Sequence, residues 1–304
     1  MTVTSILATL ARWPFDPAVL TGIVISAVLY WRGAGYMRAH GLGRHLRRWR
    51  ESLFALGLVV LFFTLNSPLD DWADQYLWAH MAQHELLALV VAPLLLFGEP
   101  LMIMWRGLPL GGRRAIATWA VRTSWPVRLF ETIERFLRRP VVSWLTFVIL
   151  FSVWHLPTLY DLATEHAAIH AFEHVCFIFG GLVFWSQMIP SLPFKPNARP
   201  LAQSLYFALA AMWGNVLGWA FMFSTTPSYP YYVRLARTPD MISAITDQHI
   251  AGGVMDAADT AIFIACIIIA LGLWLRDVER ESEADGAQIA TPLPVTASPS
   301  APSP

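Results

Sequence analysis

Residues 74–97, DQYLWAHMAQHELLALVVAPLLLF, decide the fold of this chain. A membrane-spanning helix needs about 20 mostly apolar residues, and this run is long enough. His80 and His84 lie within it, four residues apart. Helical periodicity puts residues at this spacing on one face. The stretch therefore predicts a transmembrane helix that carries imidazoles on one side.

The same apolar pattern recurs along the chain. Of 304 residues, 56% are hydrophobic and 14% are charged, and the mean hydropathy is +0.50. Soluble domains carry roughly 25% charged residues. Proline marks many borders of the runs that are long enough to span a membrane, namely 17–33, 51–68, 74–97, 140–157, 166–190, 200–223 and 250–275. The sequence predicts an all-α, polytopic membrane protein with about seven transmembrane helices.

Basic residues are unevenly divided between the two ends of these runs. Eighteen of the 21 Lys and Arg residues follow the first, third, fifth and seventh runs. Arg12, Arg234 and Arg237 remain for the opposite side. Loops rich in Lys and Arg stay in the cytoplasm. We therefore expect the N-terminus outside the cytoplasm and the C-terminus inside.

Three parts follow from this topology. Residues 1–16 lack a basic start and a small-residue cleavage site, so we expect them to remain as an extracytoplasmic N-terminus. Residues 17–276 form the seven-helix domain, and its cytoplasmic segment 98–139 includes an amphipathic stretch typical of the membrane interface. Residues 277–304 end in a Pro/Ser/Ala/Thr-rich run, which predicts a disordered cytoplasmic tail.

Histidines gather near the predicted outer side of the membrane. His40 and His45 lie among cytoplasmic arginines, but the other seven histidines lie toward the opposite side: His80, His84, His155, His166, His170, His174 and His249. Residues four apart lie about 6 Å apart along a helix axis. The pairs His80/His84 and His170/His174 would therefore give four nitrogens to one or two metal ions. His166 is interpreted as a capping residue.

Acidic side chains accompany the histidines. Glu85 and Glu173 are candidates for metal ligands, for partners that fix the imidazole tautomers, or for proton carriers, and we favour the second role. Asp256 and Asp259 lie in the last apolar run. Because charged groups inside a membrane face protein or water, we expect these two to extend the site or to pair with a histidine.

Sulfur ligands are also available. Met81 adjoins His80, and Met255 lies in the last apolar run. Thioether and imidazole together suit copper, particularly Cu(I). Cys176 and Cys266 are the two cysteines, and both lie in apolar runs. A disulfide framework and a CxxC metal or redox motif are therefore excluded.

Several short motifs occur in a recognisable order. They are Ser67-Pro68-Leu69-Asp70, AHMAQH at 79–84, Ala92-Pro93-Leu94-Leu95, Gly98-Glu99-Pro100, WHLPTLYD at 154–161, HAFEH at 170–174, Asp247-Gln248, and Gly252-Gly253-x-Met255. Over roughly residues 50–280 the chain resembles the CtaG-like family of cytochrome c oxidase assembly factors.

The resemblance implies a function without catalysis. Family members are multi-helix proteins of the bacterial inner (plasma) membrane that are implicated in supplying copper to the oxidase during its assembly. Cytochrome c oxidase subunits and an extracytoplasmic copper donor are the implied partners besides the lipid bilayer, and no nucleic acid is expected. The implied copper-handling set is His80, Met81, His84, His155, His170, His174 and Met255. Around it, the supporting residues are Glu85, Glu173, His166, His249, Asp256 and Asp259.

Two other classes of function stay open. His170-x-x-Glu173-His174 matches the inverted zinc-peptidase pattern, with Glu173 as base. Histidine pairs are also typical of di-iron membrane hydroxylases. An outer-side site without a set of polar groups to orient a substrate counts against both enzymes. A bis-histidine haem cytochrome would take one histidine from each of two facing helices.

The topology can be tested with reporter fusions. Fusions after residues 45, 120, 195 and 285 should report from the cytoplasm, because these positions follow the basic loops. Fusions near residues 72, 162 and 235 should report from the outer side. A cytoplasmic signal at 72 or 162 would contradict the placement of the histidines in one leaflet.

Overall fold

The computed structural model describes Trp13 and residues 15–191, 199–237 and 241–290. In these ranges the regular elements are helices, as predicted. The first are α1 (Pro17–Ala39), α2 (Arg48–Leu65), α3 (Pro68–Ala73), α4 (Leu77–Phe97), α5 (Pro100–Gly107), α6 (Leu110–Arg122) and α7 (Ser124–Leu137). They are followed by α8 (Pro140–Trp154), α9 (Pro157–Glu165), α10 (Ala167–Trp185), α11 (Pro200–Met222), α12 (Pro230–Leu235) and α13 (Ala244–Ala290).

Each of the seven predicted segments overlaps one of these helices. In the described ranges five helices are long and apolar enough to cross a membrane, namely α1, α4, α10, α11 and α13. The bent pair α7 and α8 adds a sixth if it is one span. Helix α2 starts with charged residues, and α8 has only 15 residues. The number of seven crossings and the orientation of the termini stay predictions.

Helix α4 changes its winding in the middle. Residues Leu86–Val91 form a π-helical segment between two α-helical parts. Pro93 follows in the next turn, where its ring would clash with the carbonyl four residues earlier. Widening of the helix relieves this clash and leaves carbonyl groups without helical partners. The indole of Trp185 donates to one of them, the carbonyl of Ala88, over 3.0 Å.

Helices α4 and α10 approach closely at a glycine. A Cβ atom at Gly181 would lie 2.6 Å from the carbonyl oxygen of Ala88 and 2.8 Å from the Cβ atom of Ala92. Only glycine allows this backbone separation. The contact therefore sets the register between the two helices that carry the histidine pairs.

Helix α13 fixes the start of α4. The carboxylate of Asp247 accepts hydrogen bonds from the backbone N–H groups of Leu77, over 2.8 Å, and Trp78, over 3.1 Å. These groups have no partner within the helix, because they belong to its first turn. Lower down, the Gln83 amide donates to the Thr64 carbonyl and to Asp70, over 2.8 Å each. The capped end and this anchor hold the part of α4 that carries His80 and His84.

The segment 98–139 does not lie wholly outside the bundle. Helix α5 packs directly on α1, because side chains at Gly33 and Gly107 would collide with backbone carbonyls of the facing helix. Glu99, at a φ of 52°, precedes α5 and pairs with Arg50. Helix α7 lies at 86° to α8 and exposes an apolar face that includes Phe130. Its location in the membrane interface stays a prediction.

The last helix is longer than the sequence analysis expected. Helix α13 continues to Ala290, so residues 277–290 of the predicted tail are helical. Asp277 and Arg280, three residues apart, form an ion pair of 4.0 Å, a spacing that supports a helix. Residues 291–304 of the predicted tail, and 1–12 and 14 of the predicted N-terminal part, lie outside the described residues.

The glycine contact between α4 and α10 predicts a specific loss of stability. Gly181→Val should cost roughly 1–3 kcal/mol, because its side chain overlaps the backbone of α4. Gly22→Val is the matched control, since a Cβ there meets nothing within 4 Å. Thermal unfolding in detergent measures both variants. Equal melting temperatures for the two would contradict the close approach.

Candidate metal centre

Three helices bring titratable side chains together inside the bundle. Helix α4 carries His80 and His84, and α10 carries His170, Glu173 and His174. His155 caps the end of α8. Five of these six side chains are buried, and His170 is half-buried. The spacing of four residues puts each pair on one face, and the contact between α4 and α10 turns the two faces toward each other.

The four paired imidazoles touch one another. Ring centroids lie 4.4 Å apart for His80 and His84, and 4.3 Å apart for His170 and His174. Across the two helices, His80 lies 5.0 Å from His170, and His84 lies 5.9 Å from His174. The histidine pairs that the sequence assigns to a shared centre are therefore close together in the structure.

Glu173 lies in the middle of this group. Its two carboxylate oxygens face the Nε2 atoms of His80, at 3.7 Å, and His84, at 3.5 Å. This position suits either a metal ligand or a partner that orients the imidazoles, and the supporting role favoured from the sequence stays a prediction.

Two overlapping sets of side chains have the geometry of a metal site. In His80, His84 and His174, the ligand atoms lie within 4.8 Å of one another, and the same holds for His80, His170 and Glu173. Two nitrogens bound at about 2 Å to one ion are at most about 4 Å apart. A small inward movement of the side chains would therefore close either set around an ion.

The polar atoms of the cluster lack hydrogen-bond partners among the described residues. They are His80 Nε2, both ring nitrogens of His84, His170 Nε2, His174 Nε2 and both oxygens of Glu173. Buried polar groups are nearly always hydrogen-bonded, and in lipid an unpaired one costs several kcal/mol. A cation would bind several of these donors at once, one lone pair from each imidazole or an oxygen of Glu173, so the residues fit a metal.

His155 and Met81 form a second pair beside the cluster. The Nδ1 atom of His155 donates to the Phe151 carbonyl over 2.6 Å, which leaves the lone pair on Nε2. That lone pair faces the sulfur of Met81 at 3.2 Å. The ring of His155 lies 5.9 Å from that of His84. An imidazole lone pair and a thioether therefore adjoin the four-histidine group.

Buried tyrosines of the loop 224–249 cover the cluster, as the tyrosine-rich sequence of this loop predicts. Tyr232 of α12 donates to the Ala73 carbonyl over 2.8 Å, and its oxygen lies 3.4 Å from His80 Nδ1. Tyr229 donates to the His155 carbonyl over 3.0 Å. Burial raises the pKa of both phenols well above the usual value, so they remain neutral donors. The outer-loop run of Pro230, Tyr231 and Tyr232 was the available signal.

The remaining predicted site residues lie outside the histidine cluster, either on the surface or in the apolar core. His166 and His249 are exposed. His166 occupies the N-cap position of α10, but its side chain makes no capping hydrogen bond. His249 donates to the Ser224 carbonyl over 2.9 Å. Met255 is fully buried in the apolar core that contains Met81. The structure thus separates the two exposed histidines from the buried group.

Two carboxylates form a separate buried pair next to the cluster. Glu85 and Asp259 are both buried, and their charges are close enough to interact. Asp259 lies against α11, where a side chain at Gly214 would occupy the position of its carboxylate. Asp256 is half-buried beside Gly218. Two buried carboxylates repel each other unless they share a proton or a cation, so this pair needs one or the other.

A helical bundle with imidazoles and a carboxylate buried between apolar helices defines a polytopic membrane protein with a candidate intramembrane metal centre. Residues 28–277 match the model of the cytochrome c oxidase caa3 assembly factor family, Caa3_CtaG, and the chain belongs to this family. The resemblance in the sequence motifs is thereby confirmed.

Relatives in curated collections are more distant. The chain is 25% identical over 275 residues to the uncharacterized protein ML1998 of Mycobacterium leprae, covering 88% of this chain and 40% of that protein. It is 25% identical over 281 residues to the uncharacterized protein Mb0105 of Mycobacterium bovis, covering 89% and 40%. The chain thus spans about 40% of the length of these relatives. No solved structure matches it significantly.

The cluster predicts which substitutions weaken metal binding. His84→Ala and Glu173→Gln should each lower the affinity for a loaded metal ion roughly 10- to 100-fold or more, because even groups around a ligand contribute that much. His249→Ala is the control, since His249 is exposed and bonded to a loop carbonyl. Metal content per folded protein, measured by elemental analysis after gel filtration, tests this. Full metal content in both cluster variants would contradict a shared centre.

Proposed function

We propose that this protein is a membrane-embedded copper-handling assembly factor for cytochrome c oxidase. It accepts copper on the extracytoplasmic side, holds it on imidazole and thioether ligands in the outer leaflet, and passes it to an oxidase subunit. Membership of the caa3 assembly factor family supports the general role. The choice of copper rests on one observation, the lone pair of His155 that faces the sulfur of Met81 next to four imidazoles.

The chemistry of the donors favours copper over other ions. A thioether binds soft ions such as Cu(I), whereas Mg, Ca and Mn prefer oxygen ligands. Four imidazoles and a methionine also exceed the coordination number of one Cu(I) ion, so an ion held here retains unused donors beside it. Ligand exchange between neighbouring donors then lets the copper ion move without ever losing all of its ligands.

Glu173 has a defined part in this proposal. It is fully buried, and each of its oxygens faces a different histidine of α4. A cation loses its hydration when it enters an apolar site, and a buried carboxylate compensates part of that cost. We therefore assign Glu173 to charge compensation and ligation of the copper cargo, and not to acid–base catalysis.

The enzyme alternatives receive less support from the same geometry. A zinc peptidase would need its glutamate next to a metal-bound water that substrate can reach. The carboxylate of Glu173 instead faces His80 and His84 within the packed imidazole group. A bis-histidine haem would need a flat porphyrin between two imidazoles, and the four rings contact one another there. The proposed partners are oxidase subunits and a periplasmic-side copper donor in the bacterial plasma membrane.

A metal-selective test separates copper handling from the alternatives. Met81→Leu removes the thioether but conserves volume, so Cu(I) retention should fall roughly tenfold while Zn²⁺ retention stays unchanged. Met212→Leu is the control, because Met212 is exposed on α11. In cells, Met81→Leu should accumulate normally but lower the copper content and activity of the oxidase.

Two results would contradict the proposal. One is unchanged Cu(I) retention in Met81→Leu together with unchanged oxidase copper. The other is a Soret band in the purified protein in place of stoichiometric copper, which would assign the histidines to haem.

A further inference from the structure

A cavity of about 960 Å³ opens beside the metal centre. Helices α1 and α2 form one wall and α10 forms the other. One end is acidic, with the side chains of Asp16, Asp70, Asp74 and Glu165, and the far end is apolar. His170 and His174 lie in the wall of α10, so the cavity reaches the metal centre directly.

The carboxylates of Asp70 and Asp74 are free to attract a cation. In the described part of the chain, neither forms an ion pair, whereas Glu165 pairs with Arg234 at 2.5 Å. Asp70 accepts a hydrogen bond from Gln83 over 2.8 Å. Burial raises the pKa of Asp70 to about 6, which leaves most of this carboxyl group ionised at pH 7. Negative charge therefore remains at the acidic end.

Helix α12 narrows this end of the cavity. The hydroxyl of Tyr231 donates to the Asp74 carbonyl over 3.1 Å, and Tyr231 also lines the cavity. Arg234, one turn later, reaches Glu165 on the opposite wall. Helix α12 thus links the segment after α3 to the end of α9 at the acidic end of the cavity.

An independent observation points from the cavity to a ligand. His174 is only 8% exposed, and its Nε2 atom has no hydrogen-bond partner among the described residues. His170 Nε2 is likewise unpartnered. An imidazole lone pair is therefore available on the wall of the cavity, next to the donors of the metal centre.

We propose that this cavity is the access route for a soft cation such as Cu(I), attracted by Asp70 and Asp74 and transferred through His170 and His174 to the metal centre. The proposal rests on the copper-handling function. It adds a path and a direction, from the end of the bundle that the charge distribution assigns to the outer side. No bond other than metal–ligand bonds forms or breaks, and the ion keeps its oxidation state.

The proposed access route predicts an effect on the rate of metal loading, which the metal centre alone does not predict. Negative charge at the mouth of a cleft raises the association rate of a cation roughly 10-fold or more, and salt removes the effect. The final occupancy of the metal centre depends on its ligands and not on the carboxylates at the acidic end of the cavity. Removing the mouth charges should therefore slow loading without changing the endpoint.

The experiment uses the full chain in detergent, freed of metal and mixed with Cu(I) kept reduced by ascorbate. Stopped-flow quenching of intrinsic fluorescence gives the loading rate, and elemental analysis gives the final occupancy. Asp74→Asn and the double variant Asp70→Asn/Asp74→Asn should load roughly 3- to 10-fold more slowly at about 0.01 M salt, and this difference should vanish at about 0.5 M. Glu131→Gln is the control, because Glu131 is exposed on α7 and does not line the cavity.

A steric pair of variants tests the path independently of charge. Ala167 lines the cavity one turn above His170, and its neighbour Ala168 does not, although both are exposed. Ala167→Trp should slow loading at every salt concentration, whereas Ala168→Trp should load like the wild type. Asp74 is exposed, so Asp74→Asn keeps the test available if the double variant does not fold.

The outcomes separate this proposal from the one on which it rests. Unchanged loading rates in Asp74→Asn and Ala167→Trp, with normal final occupancy, would overturn the access route and leave copper handling intact. A wild-type protein that binds no Cu(I) would overturn both. Slower loading with lower occupancy in the Asp variants would make these residues ligands and also overturn an access role.

Discussion

The arrangement of this bundle depends on placing four imidazoles and one carboxylate between apolar helices, with all but His170 buried. In an apolar environment each unpaired polar group costs several kcal/mol, so helices that carry such groups pack stably only when the groups face a common partner. The rings of His80, His84, His170 and His174 contact one another, and Glu173 lies between them. A bound cation would supply the partner that these groups lack, so metal binding would also stabilise the fold.

Several backbone features away from the cluster serve this geometry. Gly181 lets α10 approach α4 closely, and the π-helical segment Leu86–Val91 shifts the lower half of α4 relative to the upper half. Asp247 caps α4 from α13, which fixes the depth of His80. Tyr232 of α12 then contacts His80. Each device is weak alone, but all act on the same short part of α4.

The sequence was sufficient for features that depend on local periodicity. The seven apolar segments all overlap helices, and the histidine pairs with a spacing of four residues do lie on facing sides. The sequence was insufficient where the surroundings of a side chain depend on how the helices pack. The sequence grouped His249 with the buried histidines because all of them lie at a similar predicted depth in the membrane. The register between α4 and α10, which the contact at Gly181 sets, places Glu173 next to His80. The prediction of a disordered tail used amino-acid composition, which does not show the helical spacing of Asp277 and Arg280.

The order of the donors along the cluster gives the proposed function a direction. His170 and His174 adjoin the cavity, His80 and His84 lie across from them, and His155 with Met81 lies beyond. A cation that moves along this line leaves carboxylates, passes imidazoles that flank Glu173 and meets a thioether, so the softest donor comes last. A thioether favours Cu(I), whereas a hard ion prefers oxygen ligands. Selection of Cu(I) by the chemical softness of its ligands does not require a special shape of the site. A protein whose partners exchange copper would gain specificity for copper from the order of the ligand side chains along the path.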